Sequence, residues 1–139
     1  MIVTPNFHFR GNCKEALELY KEVFGISILC IYENKDANPL DYTTDAKFSE
    51  HVYHAEVVLG NTRFMMSDVS EEMEHTTGNS LSLVITFDNA DEVKKAYDTL
   101  KDNAIILTPI QSTTYSSCFV SLIDKFGIRW ELMTEQTER

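Results

Sequence analysis

Apolar and polar residues alternate from Val3 to Arg10, with Val3, Pro5, Phe7 and Phe9 on one face and Thr4, Asn6, His8 and Arg10 on the other. A period of two with one apolar face predicts a strand half buried against another layer. The period then changes. Ala16, Leu17, Tyr20, Val23 and Phe24 recur at helical spacing between Cys13 and Phe24, and Gly25 marks the end of that helix. A second strand, Ile26 to Tyr32, follows. Glu33 to Glu50 is polar, carries Asn38-Pro39 and shows no period, which predicts a loop or an irregular excursion. Val52 to Leu59 and Thr62 to Asp68 read as strands joined at Gly60-Asn61, a two-residue hairpin signal. Their alternation puts Ala55, Val57, Leu59, Phe64 and Met66 on one face and His54, Glu56, Val58, Arg63, Met65 and Ser67 on the other.

The same order of elements returns after an acidic stretch. Val69 to Ser80 holds Glu71, Glu72, Glu74, His75 and a Gly78-Asn79 turn, and reads as a linker whose charges are solvated. Beyond it come a strand at Leu81–Phe87, a helix at Ala90–Leu100, and strands at Ile105–Ile110, Cys118–Ile123 and Ile128–Met133. The turn Lys125-Phe126-Gly127 precedes the last of these. A shift of 77 residues lays Arg10-Gly11-Asn12 over Phe87-Asp88-Asn89, Glu15 over Glu92 and Tyr20 over Tyr97, and Arg63 matches Arg129 in the final strands. The chain is therefore two copies of a βαβββ unit, module 1–68 and module 81–139, joined by the linker 69–80. Half of 139 residues is too little to bury a core alone, so the copies are expected to form a single α+β domain. Its expected form is a curved, barrel-like mixed sheet with helices outside and a cleft inside.

Composition narrows the partners. A net charge of -10, with twelve scattered Lys and Arg, argues against nucleic acid, which needs a basic footprint. No apolar run reaches the length that spans a bilayer, and the chain start lacks a signal-peptide pattern, so we expect a cytoplasmic protein with no membrane partner. Cys13, Cys30 and Cys118 are odd in number, share no zinc-type spacing and suit a reducing compartment as free thiols. Cys13 opens the first helix, where the dipole would lower a thiol pKa; a small half-buried helix residue is the plainer alternative.

The YKEVFG helix end, the HAEVVLGNTRFMMSD hairpin and the DKFGIRWEL ending, in this order of elements, resemble the vicinal oxygen chelate superfamily of glyoxalases, bleomycin and fosfomycin resistance proteins and extradiol dioxygenases. Within it the chain is similar to the PhnB-like branch, often labelled a 3-demethylubiquinone methyltransferase domain. The resemblance implies a glyoxalase-like fold, and frequently a divalent metal held by four strand residues that acts as a Lewis acid. Carried over by residue, the last-strand metal ligand falls on Glu131. The matching position in the first half is Met65, the opening strand of the second half offers Ser82 where His is common, and an ungapped match places Pro5 in the first strand. One ligand of four survives, so the usual metal is expected to be absent. An alternative set joins His8 and His54 to Glu131, with His8 brought to the polar face by a bulge near Gly11-Asn12.

Other residues of the expected cleft are Glu56, Arg63, Arg129 and Tyr115. The arginines suit a carboxylate or phosphate ligand, or an internal pair such as Arg129 with Glu56. Tyr115 reads as a cleft wall or as packing at a hairpin edge, whereas Trp130 faces the helix and belongs to the core. The favoured function is binding of a small organic molecule in a metal-free cleft lined partly by Met65 and Met133. The alternative is a metal-dependent isomerase, lyase or dioxygenase on a small oxygenated substrate, with a His as base. A methyltransferase reading lacks a Gly-rich strand-to-helix loop for its cofactor. A homodimer is expected, because open sheets leave edges that symmetric pairing completes.

Overall fold

In the computed structural model, which describes residues 1–40, 45–70 and 72–135, the alternation at the chain start becomes a short strand, β1 (Asn6–Phe9). Phe7 and Phe9 are buried and Asn6 and His8 exposed. The strand begins later than the alternation predicts. Pro5 accepts a hydrogen bond from Met65 N at 2.9 Å but has no N–H to return, and Val3 beyond it is exposed.

The helix α1 (Cys13–Phe24) lies against the apolar side of this strand. Its buried residues are Cys13, Ala16, Leu17 and Tyr20, and the Tyr20 ring stands 6.5 Å from both Phe7 and Phe9. Full burial of side chains such as Phe9 and Leu17 contributes about 1.5–3 kcal/mol each. Strands β2 (Ser27–Glu33), β3 (Val52–Leu59) and β4 (Thr62–Asp68) complete a four-stranded mixed sheet in the order β1-β4-β3-β2. The β1–β4 pair is parallel and the others antiparallel. The hairpin faces are as expected. Ala55, Val57, Leu59, Phe64 and Met66 are buried, and their neighbours lie on the opposite, more open face.

Among the described residues, the period-free stretch after β2 contains two short 3-10 turns, Asn34–Asp36 and Ala46–Phe48. Asn34 ties it down: its N donates to His51 O at 2.8 Å and its side-chain amide to Phe48 O at 3.0 Å.

The second copy comprises β5 (Leu83–Phe87), α2 (Ala90–Leu100), β6 (Ile105–Gln111), β7 (Phe119–Ile123) and β8 (Arg129–Thr134), in the order β5-β8-β7-β6. The α+β class and the tandem βαβββ modules are thus as read from the sequence. Val93, Ala96 and Leu100 on α2 are buried, as are Val120, Leu122, Trp130 and Leu132 on the sheet. The chain divides into two compact units, Met1–His75 and Thr76–Arg139, with no helix or strand among the described residues between β4 and β5. Glu71, expected as a linker charge, lies outside the described residues. Among the described residues no helix is long and apolar enough to cross a membrane.

The two copies are out of step by one residue. The helices are offset by 77, from Cys13 to Ala90, whereas the strands are offset by 78, since Phe9 pairs with Asp68 as Phe87 pairs with Thr134. The first copy therefore carries one more residue between strand and helix, at Arg10-Gly11. Gly11 has φ 83, and a Cβ there would stand 3.0 Å from the His51 ring, so only glycine suits the position. In strand register Ser82 consequently repeats Thr4, not Pro5 as the ungapped match has it.

Candidate functional site

In each unit one sheet face meets the helix and the other carries the candidate residues. On the open face of the first sheet the register aligns Asn6, Met65, Glu56 and Cys30 in one row across four strands. His8 stands opposite Ser67, and Tyr32 opposite His54, in the row beside it. Glu56 is the centre of this face. Its Oε1 accepts from Arg63 Nη1 at 2.8 Å, and its Oε2 lies 3.1 Å from His54 Nε2 and 3.9 Å from Cys30 Sγ. His8 is turned to Ser67, with 3.2 Å between Nδ1 and Oγ, and its carbonyl lies 3.0 Å from His75 Nε2. His8 and His54 therefore engage different partners on either side of β4.

The hydrogen bond to His54, followed by the charge of Arg63, holds the Glu56 carboxyl below the usual carboxylate range. A group with a depressed folded pKa stabilises the fold above its unfolded pKa, and that contribution is lost as pH falls through the folded value. An NMR titration of the glutamate side chains is expected to show Glu56 deprotonating below the normal value near 4.3. In Arg63→Ala plus His54→Ala its pKa returns to that value; an unchanged depression would mean that neither group causes it.

On the open face of the second sheet, Val84, Glu131, Ser121 and Thr108 share a row. Glu131 Oε1 accepts from Ser82 Oγ at 3.3 Å and lies 3.5 Å from Arg129 Nη2. Arg129 Nη1 donates to Asn79 O at 2.6 Å. Arg129 thus pairs with Glu131, and Glu56 takes Arg63; the pairing of Arg129 with Glu56 considered from the sequence is replaced by these two. Arg63 lies opposite Val58, so its side chain reaches Glu56 diagonally across the hairpin. Tyr115 is 55% exposed and packs edge-on against Phe119 at 5.8 Å, next to this face. Met133 lies opposite Phe119 and is buried. Trp130 is buried on the other side, as expected, with Nε1 bonded to Asp124 Oδ2 at 2.9 Å.

Cys13 is fully buried, and burial, with the Asp68 carboxylate second, pushes its thiol pKa far up. The dipole-activated thiol is thereby overturned. Its backbone N–H is bonded to Asp68 Oδ1 at 3.0 Å, while Asp68 Oδ2 accepts from Val52 N at 2.9 Å. Cys30 and Ser121, both on these faces, escaped the sequence reading. Ser121 carried a signal, as a single polar residue within the apolar run FVSLI. Cys30 did not, because a bulge between Ile28 and Cys30 sets its face.

The positions matched to the family's metal ligands hold Met65, Ser82 and Glu131, and the strand register puts Thr4, no better a ligand than the Pro5 of the ungapped match, at the repeat position of Ser82. Methionine and serine are poor partners for zinc, iron or nickel, and the Arg129 guanidinium beside Glu131 opposes a cation there. Among the described residues no three His, Cys, Asp or Glu side chains are grouped to hold a metal ion.

Tandem βαβββ modules with the helix on one face of each mixed sheet give the chain a glyoxalase-like fold. At the level of fold the chain is similar to a glyoxylase/bleomycin resistance protein/dioxygenase domain from Frankia sp. EAN1pec. That match has a TM-score of 0.68 at 14% identity, covering 100% of this chain and 94% of the other. The chain belongs to the PhnB-like family described as 3-demethylubiquinone-9 3-methyltransferase, whose model matches residues 2–133. A PhnB protein from Bacillus cereus, itself described as a putative member of that methyltransferase family, is 26% identical with a TM-score of 0.81, over 96% of this chain and 99% of its own. Protein YjdN from Escherichia coli K12 is 25% identical over 137 residues, covering 94% of this chain and 92% of YjdN.

Proposed function

We propose that this chain binds a small organic molecule on the open faces of its sheets, through hydrogen-bonding and apolar side chains rather than through a metal ion. The observation that carries this reading is the content of the repeat-equivalent positions on β4 and β8. One is the thioether Met65, and the other is Glu131, engaged by Ser82 and Arg129. The thioether of Met65 and, beyond Glu56 in the same row, the thiol of Cys30 give an adaptable, polarisable surface, with the Glu56–Arg63 pair setting polar groups between them. The methyltransferase description of the family draws no support from the strand-to-helix connections, Arg10-Gly11-Asn12 and Asp88-Asn89, which lack a glycine-rich cofactor loop.

The acidic net charge favours cationic or neutral ligands over anions by steering. We place the protein in the cytoplasm on its three free cysteines. We also propose a homodimer, because the edge strands β2 and β6 expose Leu29, Ile31, Tyr32 and Ile105.

Amide-detected NMR of the whole chain tests the site, using a panel of neutral and cationic aromatic compounds. Binding compounds are expected to shift signals of β3, β4, β7 and β8, and Met65→Asp is expected to weaken those that act on the first sheet about tenfold or more. Shifts confined to the helices or loops would sink the reading.

A further inference from the structure

The polar network around Glu131 is incomplete in a specific way. Ser121 is 1% exposed, and among the described residues its Oγ has no hydrogen-bond partner; Arg129 Nε is likewise buried without one. Ser121 stands directly opposite Glu131 on the neighbouring strand, and Arg129 precedes Glu131 by two residues on the same strand. A carboxylate is the natural acceptor for a facing hydroxyl. Glu131 instead turns to Ser82 and Arg129, over separations of 3.3 and 3.5 Å that are long for charge-assisted contacts. Buried polar groups left unpaired are costly, and each one calls for an explanation.

We infer that this network is a subsite that reads a hydroxyl group on a small organic molecule. The inference rests on the ligand-binding reading above and names the ligand class. The group that completes the network must accept from Ser121 Oγ–H and donate to Glu131 at once. A ligand carboxylate is repelled by Glu131, an ammonium by Arg129, and a bare carbonyl gives Glu131 nothing to accept. A neutral hydroxyl serves both partners, and the long contacts of Glu131 leave its carboxylate cheap to redirect. Phe119, Met133, Ile123 and Val84 lie in the rows around this point and receive the apolar body that carries the hydroxyl.

The test compares benzyl alcohol with toluene in amide-detected titrations of the whole protein, followed at β7 and β8. Benzyl alcohol is expected to bind there about tenfold tighter. Ser121→Ala is expected to keep a dispersed spectrum, because it removes an unpaired hydroxyl, and to bring the two affinities together. Ser121→Thr, which restores a hydroxyl, is expected to recover the preference. Equal affinities in the natural protein, as when a retained water already fills the gap, would overturn the hydroxyl reading and leave the ligand site standing. A preference that persists in Ser121→Ala would overturn it as well. If neither compound moves β7 or β8, the hydroxyl subsite and ligand binding on this face both fall.

Discussion

Replacing Asp124 by Ala is expected to destabilise the protein by about 3–5 kcal/mol, because three N–H groups, two buried and one partly buried, lose their acceptor together. Asp124 is buried between β7 and β8. Its Oδ1 accepts from Phe126 N at 2.9 Å and Ile128 N at 3.1 Å, and its Oδ2 from Trp130 Nε1 at 2.9 Å. The carboxylate thereby shapes the turn that starts β8 and fixes Trp130, the largest fully buried side chain. Asp124→Asn keeps one good acceptor and is expected to lose about half as much. Urea unfolding followed by Trp130 fluorescence reads both values. A loss below about 1 kcal/mol for Asp124→Ala would show that water or backbone replaces the carboxylate.

Gly127→Ala, in the same turn, is expected to cost about 2–4 kcal/mol through two separable causes. Gly127 has φ 91, where an L side chain is strained. A Cβ would also stand 2.4 Å from Thr77 Cγ2 and 2.8 Å from Thr77 Cβ, so one of the two must move. Adding Thr77→Gly removes the collision and leaves the backbone strain. The double variant is therefore expected to regain part of the loss and remain about 1–2 kcal/mol below the starting protein. No recovery would mean that Thr77 swings away freely and that strain alone sets the cost. Both substitutions act on the entry to β8, so they are also expected to loosen Arg129 and Glu131.

The elements were legible where local signals agree with tertiary demand. Gly60-Asn61 between two alternating runs fixed the β3–β4 hairpin to the residue, and the helices at Cys13–Phe24 and Ala90–Leu100 followed from their apolar spacing. Strand starts were less legible. Val3 and Leu81 continue an apolar pattern, yet β1 and β5 begin only at Asn6 and Leu83, and both residues are exposed. The repeat was visible, but an ungapped shift hid the extra residue at Arg10-Gly11 and so misplaced the counterpart of Ser82.

The site was legible by face and not by contact. Alternation put His54, Glu56, Arg63 and Met65 together correctly, whereas the partner of each charge depends on diagonal register across β3 and β4. His8 reached the polar face as expected, through the residue inserted at Gly11, but its ring turned to Ser67. Ser121 gained its meaning only from its place opposite Glu131.

The most direct test of metal-free binding is elemental analysis of the purified protein after dialysis against zinc, iron, nickel and manganese in turn. Metal well below one equivalent per chain is predicted, unchanged in Glu131→Gln. Near-stoichiometric metal that disappears in Glu131→Gln would contradict the proposal and make Glu131 the anchor of a metal-dependent site.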